Sequence, residues 1–467
     1  MTGLTERLSR FVCEPGLESI PQQAAAIVRS GFIDTIATMI AGREEPVVGI
    51  VRTFCANRAG AERDASLLMG AARASSADAA LINATAGHAL DFDDVSLGGH
   101  PSTVLVPAVL AEAERLDASG ASALRAYLVG YEVWAELFAR EPDSYHLKGW
   151  HPTAVLGTVG AAAAIAHLNR LPAAQCRHAL ALAASMASGL VANFGTMTKP
   201  LHAGRAAAAA IEAVRLAAAG LTAAPDAFEH PAGFLSAISP QGRADREAPA
   251  ATLGMDLRIL DYGLSIKKYP TCYATHRVID GVLELAGKHG LTATDVKQVR
   301  VTIGVAQASM LRNHAPVTGL EAKFSMEFAI ASAIVARKVG LSELSDEFVA
   351  KPAVRDAMTK VRIATSEVPC PLDAAFALND RVEIELQDGR VIGSGDIRFA
   401  RGHSKLPLRD ADLKAKFLDC TSGALDLDAD GLYRQLVKLG DLGSMRELIR
   451  AQPGTPARSA PLPQRAA

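Results

Sequence analysis

The sequence predicts a mainly α-helical protein, with a large all-helical domain built from both chain ends and a smaller α+β domain between them. Two observations support this prediction. The part before about Asp261 is rich in alanine and leucine with few strand-like runs, and alternating apolar and polar residues appear only after it. Helical patterns then return near the C-terminal end. We therefore predict a helical domain over residues 1–262 and 403–452, an α+β domain over 263–402, and a disordered tail over 453–467.

Apolar residues in the first part recur at the spacing of a helix face. The run from Ala24 to Ala41 is an example, and Pro21 before it suits the start of a helix. The same pattern predicts helices over residues 101–116, 153–168, 173–190 and 203–219. Because these segments are rich in alanine, we expect their backbones to pack closely.

Two runs in the middle part alternate apolar and polar residues, as half-buried strands do. The runs contain Val299, Val301 and Ile303, and Val382, Ile384 and Leu386. Asp388-Gly389 predicts a hairpin turn after the second run. Helices are predicted over residues 277–289, 322–338, 410–418 and 430–451. The Pro-, Ala- and Arg-rich tail lacks apolar periodicity, which predicts disorder.

Charge and cysteine content bear on the class of function. Lys+Arg number 48 and Asp+Glu 50, a formal net charge of -2 without a basic stripe, so we expect no nucleic-acid partner. The N-terminus shows no secretory signal, and the longest uncharged stretch, 149–169, fits a buried core helix better than a membrane span. The 6 cysteines lack CxxC spacing and are expected to be reduced thiols of a cytoplasmic protein.

The common nucleotide and metal motifs are absent from the sequence. There is no GxxxxGK[ST] phosphate loop, no GxGxxG after a strand, no HExxH and no paired CxxC. Candidate chemistry therefore lies in five polar patches within otherwise apolar sequence.

The first patch reads HALDFDD over residues 88–94 and continues as GGHPS over 98–102. On a helix, Asp91 and Asp94 would share one face. One alternative is a helix end followed by a capped restart at Ser102. Another is an Asp-rich cation site of the kind that binds diphosphates, but no second Asp-rich cluster completes it.

The second and third patches precede predicted helices. His151, in GWHPT, stands where the helix dipole opposes a positive charge, and a neutral imidazole suits a general base. The alternative is a helix-entry histidine bonded to backbone. Lys199, His202 and Arg205, in TKPLHAGR, suit an anionic ligand such as a carboxylate, with solvated surface charge as the alternative.

The fourth patch, KKYPTC over residues 267–272 with Thr275 and His276 after it, falls where the composition changes. Ligand clefts often lie at such domain boundaries. The fifth patch, TGLEAKFS over 318–325, leads into an apolar helix. Neither patch is specific by itself.

Together and in this order, the five patches resemble the MmgE/PrpD family over nearly the whole chain, up to about Cys420. That family includes 2-methylcitrate dehydratase, cis-aconitate decarboxylase and iminodisuccinate epimerase. The resemblance implies that the α+β domain is a lid and that the protein is a homodimer. It also implies a cleft between the domains for a small polycarboxylate, with no metal or organic cofactor. The family's pocket positions fall on Asp91, His100, His151, Lys199 and Lys267.

The resemblance also suggests a role for each site residue. We assign catalytic roles to His151, Lys267, Asp91 and His100, and substrate-binding roles to Lys199, His202, Tyr269 and Cys272. His151 would exchange a proton with carbon, Lys267 would act on the other face, and Asp91 would orient His100 or a lysine. The cations would neutralise substrate carboxylates. A structural role is the alternative for Tyr269 and for the matching His276.

Two departures from the family bear on the reaction. Val95 stands where the decarboxylases have threonine, and Cys272 where they often have histidine. We therefore favour an iminodisuccinate-type epimerase, with His151 and Lys267 as two bases, over a 2-methylcitrate-type dehydratase. A cis-aconitate-type decarboxylase ranks below both. A binding protein that has lost catalysis is the alternative from another class, and the intact polar residues argue against it.

Overall fold

The computed structural model describes residues 3–13, 20–58, 63–371 and 376–450, so the predicted tail over 453–467 lies outside the described residues. Helices dominate. The α-helices are α1 Leu4–Cys13, α2 Gln22–Ala41, α3 Pro46–Ala56, α4 Ser76–Ala89, α5 Ser102–Leu116, α6 Gly120–Ala139, α7 Pro152–Leu168, α8 Ala173–Met186, α9 Thr198–Ala218, α10 Phe234–Ile238, α11 Arg258–Tyr262, α12 His276–Lys288, α13 Val305–Met310, α14 Gly319–Ala322, α15 Met326–Val335, α16 Asp346–Val349, α17 Pro352–Thr359, α18 Asp410–Thr421, α19 Ala429–Val437 and α20 Glu447–Arg450.

The strands are few and short. They are β1 Ala65–Ser66, β2 Arg73–Ala74, β3 Val296–Gly304, β4 Val361–Ser366, β5 Arg381–Leu386 and β6 Val391–Gly393. Short 3₁₀ turns occur at Tyr145–Lys148, Val191–Asn193, Tyr273–Thr275, Leu341–Leu344 and Leu439–Asp441. The prediction of a mainly helical protein with a small sheet-containing part is confirmed.

The chain divides into two compact units. The helical unit comprises Met1–Ala89, Ser96–Tyr262 and Cys420–Ala467, and the α+β unit comprises Leu90–Val95 and Gly263–Asp419. Two segments that the sequence analysis placed in the helical domain, Leu90–Val95 and residues 403–419, thus group with the α+β unit. The reason is local, because lysines of the α+β unit bind the backbone of Leu90–Val95.

Helix α7 forms the centre of the helical unit and is buried from Pro152 to Ala166. It packs against α5, α6, α8 and α9. Where α6 crosses α7, a Cβ at Gly130 would lie 2.6 Å from the carbonyl oxygen of Gly160. The close approach of alanine- and glycine-rich backbones is therefore as expected from the sequence.

Helix α2 is long and apolar enough, by length and composition alone, to cross a membrane. Of its most apolar window, 67% is buried in the structure. It packs against α4, α5 and α6 within the helical unit, as a core helix does.

Several predicted helix boundaries were wrong. Helix α8 ends at Met186 instead of residue 190, because the chain turns at Gly189, whose φ is +130°. Helix α9 starts at Thr198 instead of residue 203, so Lys199 and His202 lie within it. The predicted helix over 430–451 is broken after α19. Its interruption is stabilised by a backbone bond from Gly120 N–H to Leu442 O, 2.9 Å long.

The α+β unit contains a four-stranded sheet in the order β4-β3-β5-β6. Strand β3 pairs in parallel with β4 and antiparallel with β5, while β5 pairs antiparallel with β6. The two predicted alternating runs are neighbours, with Val299 opposite Ile384 and Val301 opposite Val382. A turn at Gly389, with a φ of +87°, joins β5 to β6 as predicted. Helices α12 and α15 pack together in this unit.

Candidate active site

Four histidines of the helical unit lie side by side and form what we call the histidine cluster: His88, His100, His151 and His202. The ring centroid of His88 lies 4.6 Å from that of His100 and 5.8 Å from that of His151. The rings of His151 and His202 are 5.4 Å apart. The structure thus brings together three predicted site residues and adds His88, to which the sequence analysis gave no role.

Helix ends position the members of this cluster. His88 lies in the last turn of α4, and His100 lies two residues before α5 begins. His151 is the N-cap residue of α7, and His202 lies in the N-terminal part of α9. Because side chains on rigid elements are held more precisely than side chains on loops, the four imidazoles have a defined geometry.

His151 is fixed at both its backbone and its ring. Its N–H donates to the carbonyl oxygen of Gly189 at 3.1 Å. Its side chain makes no capping hydrogen bond to α7, so neither ring nitrogen is bonded to the N-terminus of this helix. Instead, its Nδ1 lies 3.2 Å from Nδ1 of His202, and the ring of Phe194 meets it edge-on at 4.8 Å. The residue is 2% exposed.

The surroundings of His151 favour the neutral imidazole. Burial lowers its pKa far below the ordinary value of 6.5, and the neighbouring His88 and Lys199 act in the same direction. Burial also lowers the pKa of His202, again with a contribution from Lys199. A buried neutral imidazole can accept a proton, and once protonated it is a strong acid that readily returns it.

Lys199 lies in the first turn of α9, beside the histidine cluster. Its Nζ lies 5.1 Å from the ring centroid of Phe194, the same ring that contacts His151. A cation at this position can neutralise a carboxylate of an anionic ligand, and it raises the electrostatic cost of protonating the histidines.

The loop before α5 is packed tightly onto the start of α7. The N–H of His100 donates to Thr153 Oγ1 at 3.1 Å. A Cβ at Gly99 would lie 2.8 Å from the backbone nitrogen of Thr153, so only glycine fits there. This explains the GGHPS pattern as the requirement for placing His100 against α7.

The first patch also supplies a site in the α+β unit. Asp91 has a φ of +52°, and Nζ of Lys267 donates to its carbonyl oxygen at 2.7 Å. The same Nζ lies 3.2 Å from the Asp91 carboxylate, with the Lys267 side chain only 3% exposed. The carbonyl and carboxylate oxygens together suit an ammonium cation. The prediction that Asp91 orients a histidine or a lysine has its geometric counterpart in this pair.

Two further lysines of the α+β unit bind the same short segment, Leu90–Val95. Lys323 Nζ donates to the carbonyl oxygen of Leu90 at 3.1 Å, and Lys416 Nζ donates to that of Phe92 at 2.7 Å. The ammonium group of Lys416 also lies 3.9 Å from the ring centroid of Phe92. No local sequence pattern marks Lys416, because its partner is 324 residues away.

Two interpretations of the first patch were wrong. Asp91 and Asp94 share no helix face, because α4 ends at Ala89 and the following segment is not helical. Ser102 does not cap α5. It is the first helical residue, and its Oγ instead contacts the hydroxyl of Tyr127 at 2.6 Å.

The carboxylates of this segment bear on the metal interpretation. Lys267 already provides a positive charge to Asp91 at 3.2 Å. A hard cation bound by Asp91 would have to compete with that ammonium group, which disfavours a divalent site built on this carboxylate.

The remaining predicted residues of the fourth patch lie in the core of the α+β unit. Tyr269 donates its hydroxyl to the buried carboxylate of Asp280 at 2.6 Å, and burial raises its pKa. Cys272 is part of the apolar core, and its N–H donates to the Lys323 carbonyl at 2.8 Å. Burial lowers the pKa of His276 to about 3, and Lys267 contributes to this shift. These contacts fit structural roles for Tyr269 and Cys272.

The fifth patch forms a helix start. Thr318 Oγ1 accepts from the N–H of Glu321 at 3.2 Å, and the Glu321 carboxylate accepts from the N–H of Val317 at 2.7 Å. This reciprocal capping accounts for the polar residues before α14.

A cavity of about 490 Å³ lies away from the histidine cluster, and Arg63, Arg115 and Arg215 line it. Arg115 donates to the buried Glu112 at 2.7 Å and to Asn169 at 2.9 Å. Its guanidinium is thus engaged within the protein, and the buried carboxylate offsets part of the positive charge. The cavity offers no chemistry comparable to that of the cluster.

The helical unit therefore groups a buried histidine, whose pKa is lowered, with three histidine neighbours and a nearby lysine. Residues 6–247 match the MmgE/PrpD N-terminal domain, and residues 269–437 match the MmgE/PrpD C-terminal domain. The protein belongs to the MmgE/PrpD family, as the order of its motifs predicted.

Curated relatives of this chain are cis-aconitate decarboxylases. The human enzyme (Homo sapiens) is 30% identical over 379 residues, covering 78% of this chain and 76% of the relative. The mouse enzyme (Mus musculus) is 30% identical over 393 residues, covering 80% and 78%. The Aspergillus terreus enzyme is 25% identical over 405 residues, covering 81% and 82%. These relatives are lyases, which supports a lyase-type role and gives no support to the epimerase preference.

Proposed function

We propose that this protein is a lyase that acts on a small di- or tricarboxylate, with His151 as the group that exchanges a proton with substrate carbon. The observation that carries the proposal is the buried neutral imidazole of His151, 3.2 Å from His202 and close to Lys199. The cis-aconitate decarboxylases among the relatives support the reaction class.

The roles follow from charge and position. A di- or tricarboxylate carries two or three negative charges, and Lys199 supplies one cation for them. Neutral His151 takes a proton from a carbon next to a carboxylate when water is eliminated. When CO2 is lost, Nε2 of His151 first takes a proton from solvent and then delivers it to carbon as imidazolium. In either case a double bond is formed or shifted, and the carboxylate next to the reacting carbon accepts negative charge in the transition state.

The contacts of Lys267 disfavour an epimerase reaction. That reaction needs a second base, for which the sequence analysis used Lys267. Its Nζ donates to the Asp91 carbonyl and lies beside the Asp91 carboxylate, and both oxygens favour an ammonium group. These two contacts engage Nζ with the protein itself, which supports a positioning role for Lys267 over that of a second base.

Three expectations from the sequence stay proposals. We propose that the protein acts in the cytoplasm, and that it is a homodimer whose mass can be measured by light scattering after gel filtration. We also propose that the reaction needs no organic cofactor and no metal. Dialysis against EDTA followed by activity measurement tests the absence of a metal.

The function is tested by proton NMR in D2O with cis-aconitate, 2-methylcitrate, citrate and iminodisuccinate, each with and without protein. A new alkene from methylcitrate or citrate identifies a dehydratase, and loss of CO2 from cis-aconitate identifies a decarboxylase. Deuterium exchange without a new alkene would instead identify an epimerase and would overturn the lyase proposal. Stabilisation by a substrate that is never converted would favour a binding protein.

His151→Ala is the matching variant, and it should lower turnover by roughly 10²- to 10⁴-fold. His289→Ala is its control, because His289 is exposed and lies at the end of α12. Near-normal turnover of the His151 variant would exclude this residue as the proton-transfer group.

A further inference from the structure

Two imidazoles meet through their Nδ1 atoms in the helical unit. Nδ1 of His151 lies 3.2 Å from Nδ1 of His202, with the ring planes 55° apart. A hydrogen bond between two nitrogens needs one proton and one lone pair. One of the two Nδ1 atoms must therefore carry hydrogen, and the other must be bare.

The chemistry of His151 selects between the two arrangements. Because Nδ1 of His151 is directed at His202, its Nε2 is the ring nitrogen that can meet substrate carbon. To accept a proton, Nε2 must be bare, and in a neutral imidazole the hydrogen then sits on Nδ1. His202 must accept that hydrogen with a bare Nδ1 and must carry its own hydrogen on Nε2.

We propose that His202 is a positioning residue that holds His151 in the Nδ1–H tautomer, so that Nε2 is ready for proton transfer. This inference rests on the proposed function, in which His151 exchanges the proton. It replaces the substrate-binding role that the sequence analysis gave to His202. The partner that orients a catalytic imidazole is more often a carboxylate, and a second neutral imidazole does the same work without adding a charge.

Gly189 is the residue that makes this pairing possible. Its carbonyl oxygen accepts the backbone N–H of His151, and its φ of +130° is unfavourable for residues with a side chain. A Cβ at this position would lie 2.8 Å from Cβ of Ala154 and 3.4 Å from Nδ1 of His202. The absence of a side chain thus lets α9 bring the imidazole of His202 next to that of His151.

The neutral state of both rings is what gives His202 this role. Burial lowers the pKa of each, and Lys199 adds to the effect in both cases. Two protonated rings would have no lone pair between their Nδ1 atoms and would repel each other. The neutral pair keeps one acceptor and one donor, which is the requirement for a defined tautomer.

The first measurement is ¹⁵N NMR of histidine-labelled protein without substrate, with His151 signals assigned from the His151→Asn variant. The expected result is hydrogen on Nδ1 of His151 and on Nε2 of His202. Predominant Nε2–H on His151 would overturn the positioning role. Since no substrate is present, this result does not depend on the reaction proposed above. Absence of turnover with an Nδ1–H His151 would count against the lyase proposal alone.

Three variants separate positioning from packing. In His202→Asn the amide oxygen stands near the former Nδ1 and can accept, whereas in His202→Gln it stands near the former Nε2. His202→Leu has no acceptor. We expect kcat to stay within about tenfold of wild type in the Asn variant and to fall about 10- to 100-fold in the Gln and Leu variants, with KM nearly unchanged. Equal losses in Asn and Leu variants, or a change confined to KM, would overturn the role. Circular dichroism and Tm check that each variant folds, and the wild-type spectrum decides the tautomer if one does not.

Discussion

Nζ of Lys267 binds a single residue twice: it donates to the carbonyl oxygen of Asp91 at 2.7 Å and lies 3.2 Å from its carboxylate. The backbone of Asp91, with a φ of +52°, allows this double contact. Asparagine tolerates that conformation better than most residues do, so an Asn variant removes the charge while keeping the backbone.

Asp91→Asn should lower the free energy of unfolding by about 1–3 kcal/mol, because it leaves the buried ammonium of Lys267 with a carbonyl partner alone. We expect a value of about 1 kcal/mol, the lower end of this range, because the Asp91 side chain is 21% exposed and solvent partly screens its charge. Urea denaturation measures the change. The double variant Asp91→Asn, Lys267→Met should recover part of the lost stability. The difference between the double variant and the sum of the single variants gives the interaction energy of the two residues.

The control for that cycle is an exposed ion pair in the same unit. Lys297 and Glu385 lie 2.6 Å apart, with side chains 58% and 32% exposed. Glu385→Gln should cost less than about 0.5 kcal/mol. If both charge removals cost the same, the Asp91–Lys267 pair is no more than a surface contact.

Activity should be insensitive to pH through the range in which an ordinary histidine titrates. The pKa of His151 is lowered below 6.5 by burial, with His88, Lys199, His100 and His202 facing it and acting in the same direction. The neutral form therefore persists as the pH falls through 6.5. We expect kcat/KM to be constant between about pH 6 and 8, once corrected for ionisation of the substrate measured by NMR.

The corrected pH profile must be recorded with two substrates whose carboxyl groups ionise differently. A fall in kcat/KM near pH 6.5 that occurs with both substrates would be due to a group on the enzyme. It would show that His151 titrates as in water and would remove the electrostatic basis of its role.

Lys199→Met should reduce kcat/KM by roughly 10- to 100-fold, chiefly through KM. The variant removes one charge-assisted contact with a substrate carboxylate, and such a contact contributes about 1.5–3 kcal/mol. Lys199→Arg should retain part of the affinity, because the charge is kept. Steady-state kinetics at two salt concentrations measure the effect, with Lys288→Met as control because Lys288 is exposed in α12. An unchanged KM in the Met variant would contradict direct contact with substrate.

Acid should destabilise the fold through His276. Its pKa is lowered to about 3 in the folded protein by burial and by Lys267, whereas 6.5 is its ordinary value. Between these values the unfolded chain binds the extra proton, so stability falls as the pH decreases below 6.5. The contribution is about 1.4 kcal/mol per pH unit. Urea denaturation at pH 7 and pH 5 should show a smaller loss in His276→Gln than in wild type.

Other groups titrate in the same range, so only the difference between variants is informative. Burial raises the pKa of Asp380 to about 6. Because the folded protein then binds the extra proton, Asp380 increases stability as the pH falls, whereas His276 decreases it. Comparing His276→Gln with wild type cancels such contributions, and His289→Gln supplies an exposed control. Parallel pH dependence in all three proteins would contradict a buried neutral His276.

Local patterns predicted the features that depend on neighbours in sequence. Alternation located β3 and β5 because one face of each is buried. The helix N-terminus predicted a lowered pKa for His151, and burial is the main cause of the lowering in the structure. Ordered motifs identified the family. Local patterns also misplaced the start of α9, because Pro200 is compatible with a first turn and marks no boundary.

Features that depend on distant residues were beyond local reasoning. The lysine contact with the Phe92 carbonyl and the approach of His202 to Gly189 join segments with no shared pattern. Asp91 was predicted on a helix face, yet its contact with Lys267 accompanies a left-handed backbone. A sequence shows that a histidine or lysine is present, but the ring nitrogen that it presents is decided by tertiary packing.

The order in which the polypeptide is made has a consequence for Leu90–Val95. This segment leaves the ribosome early, whereas its partner Lys416 follows Phe92 by 324 residues. At 5–20 residues per second, that interval is roughly 16 to 65 s. During this time the carbonyl oxygen of Phe92 lacks the Lys416 ammonium group that binds it in the finished protein, whereas Lys267 and Lys323 are made earlier. A nascent chain stalled before Lys416 should therefore leave the segment open to limited proteolysis, and the last stretch of translation should close it.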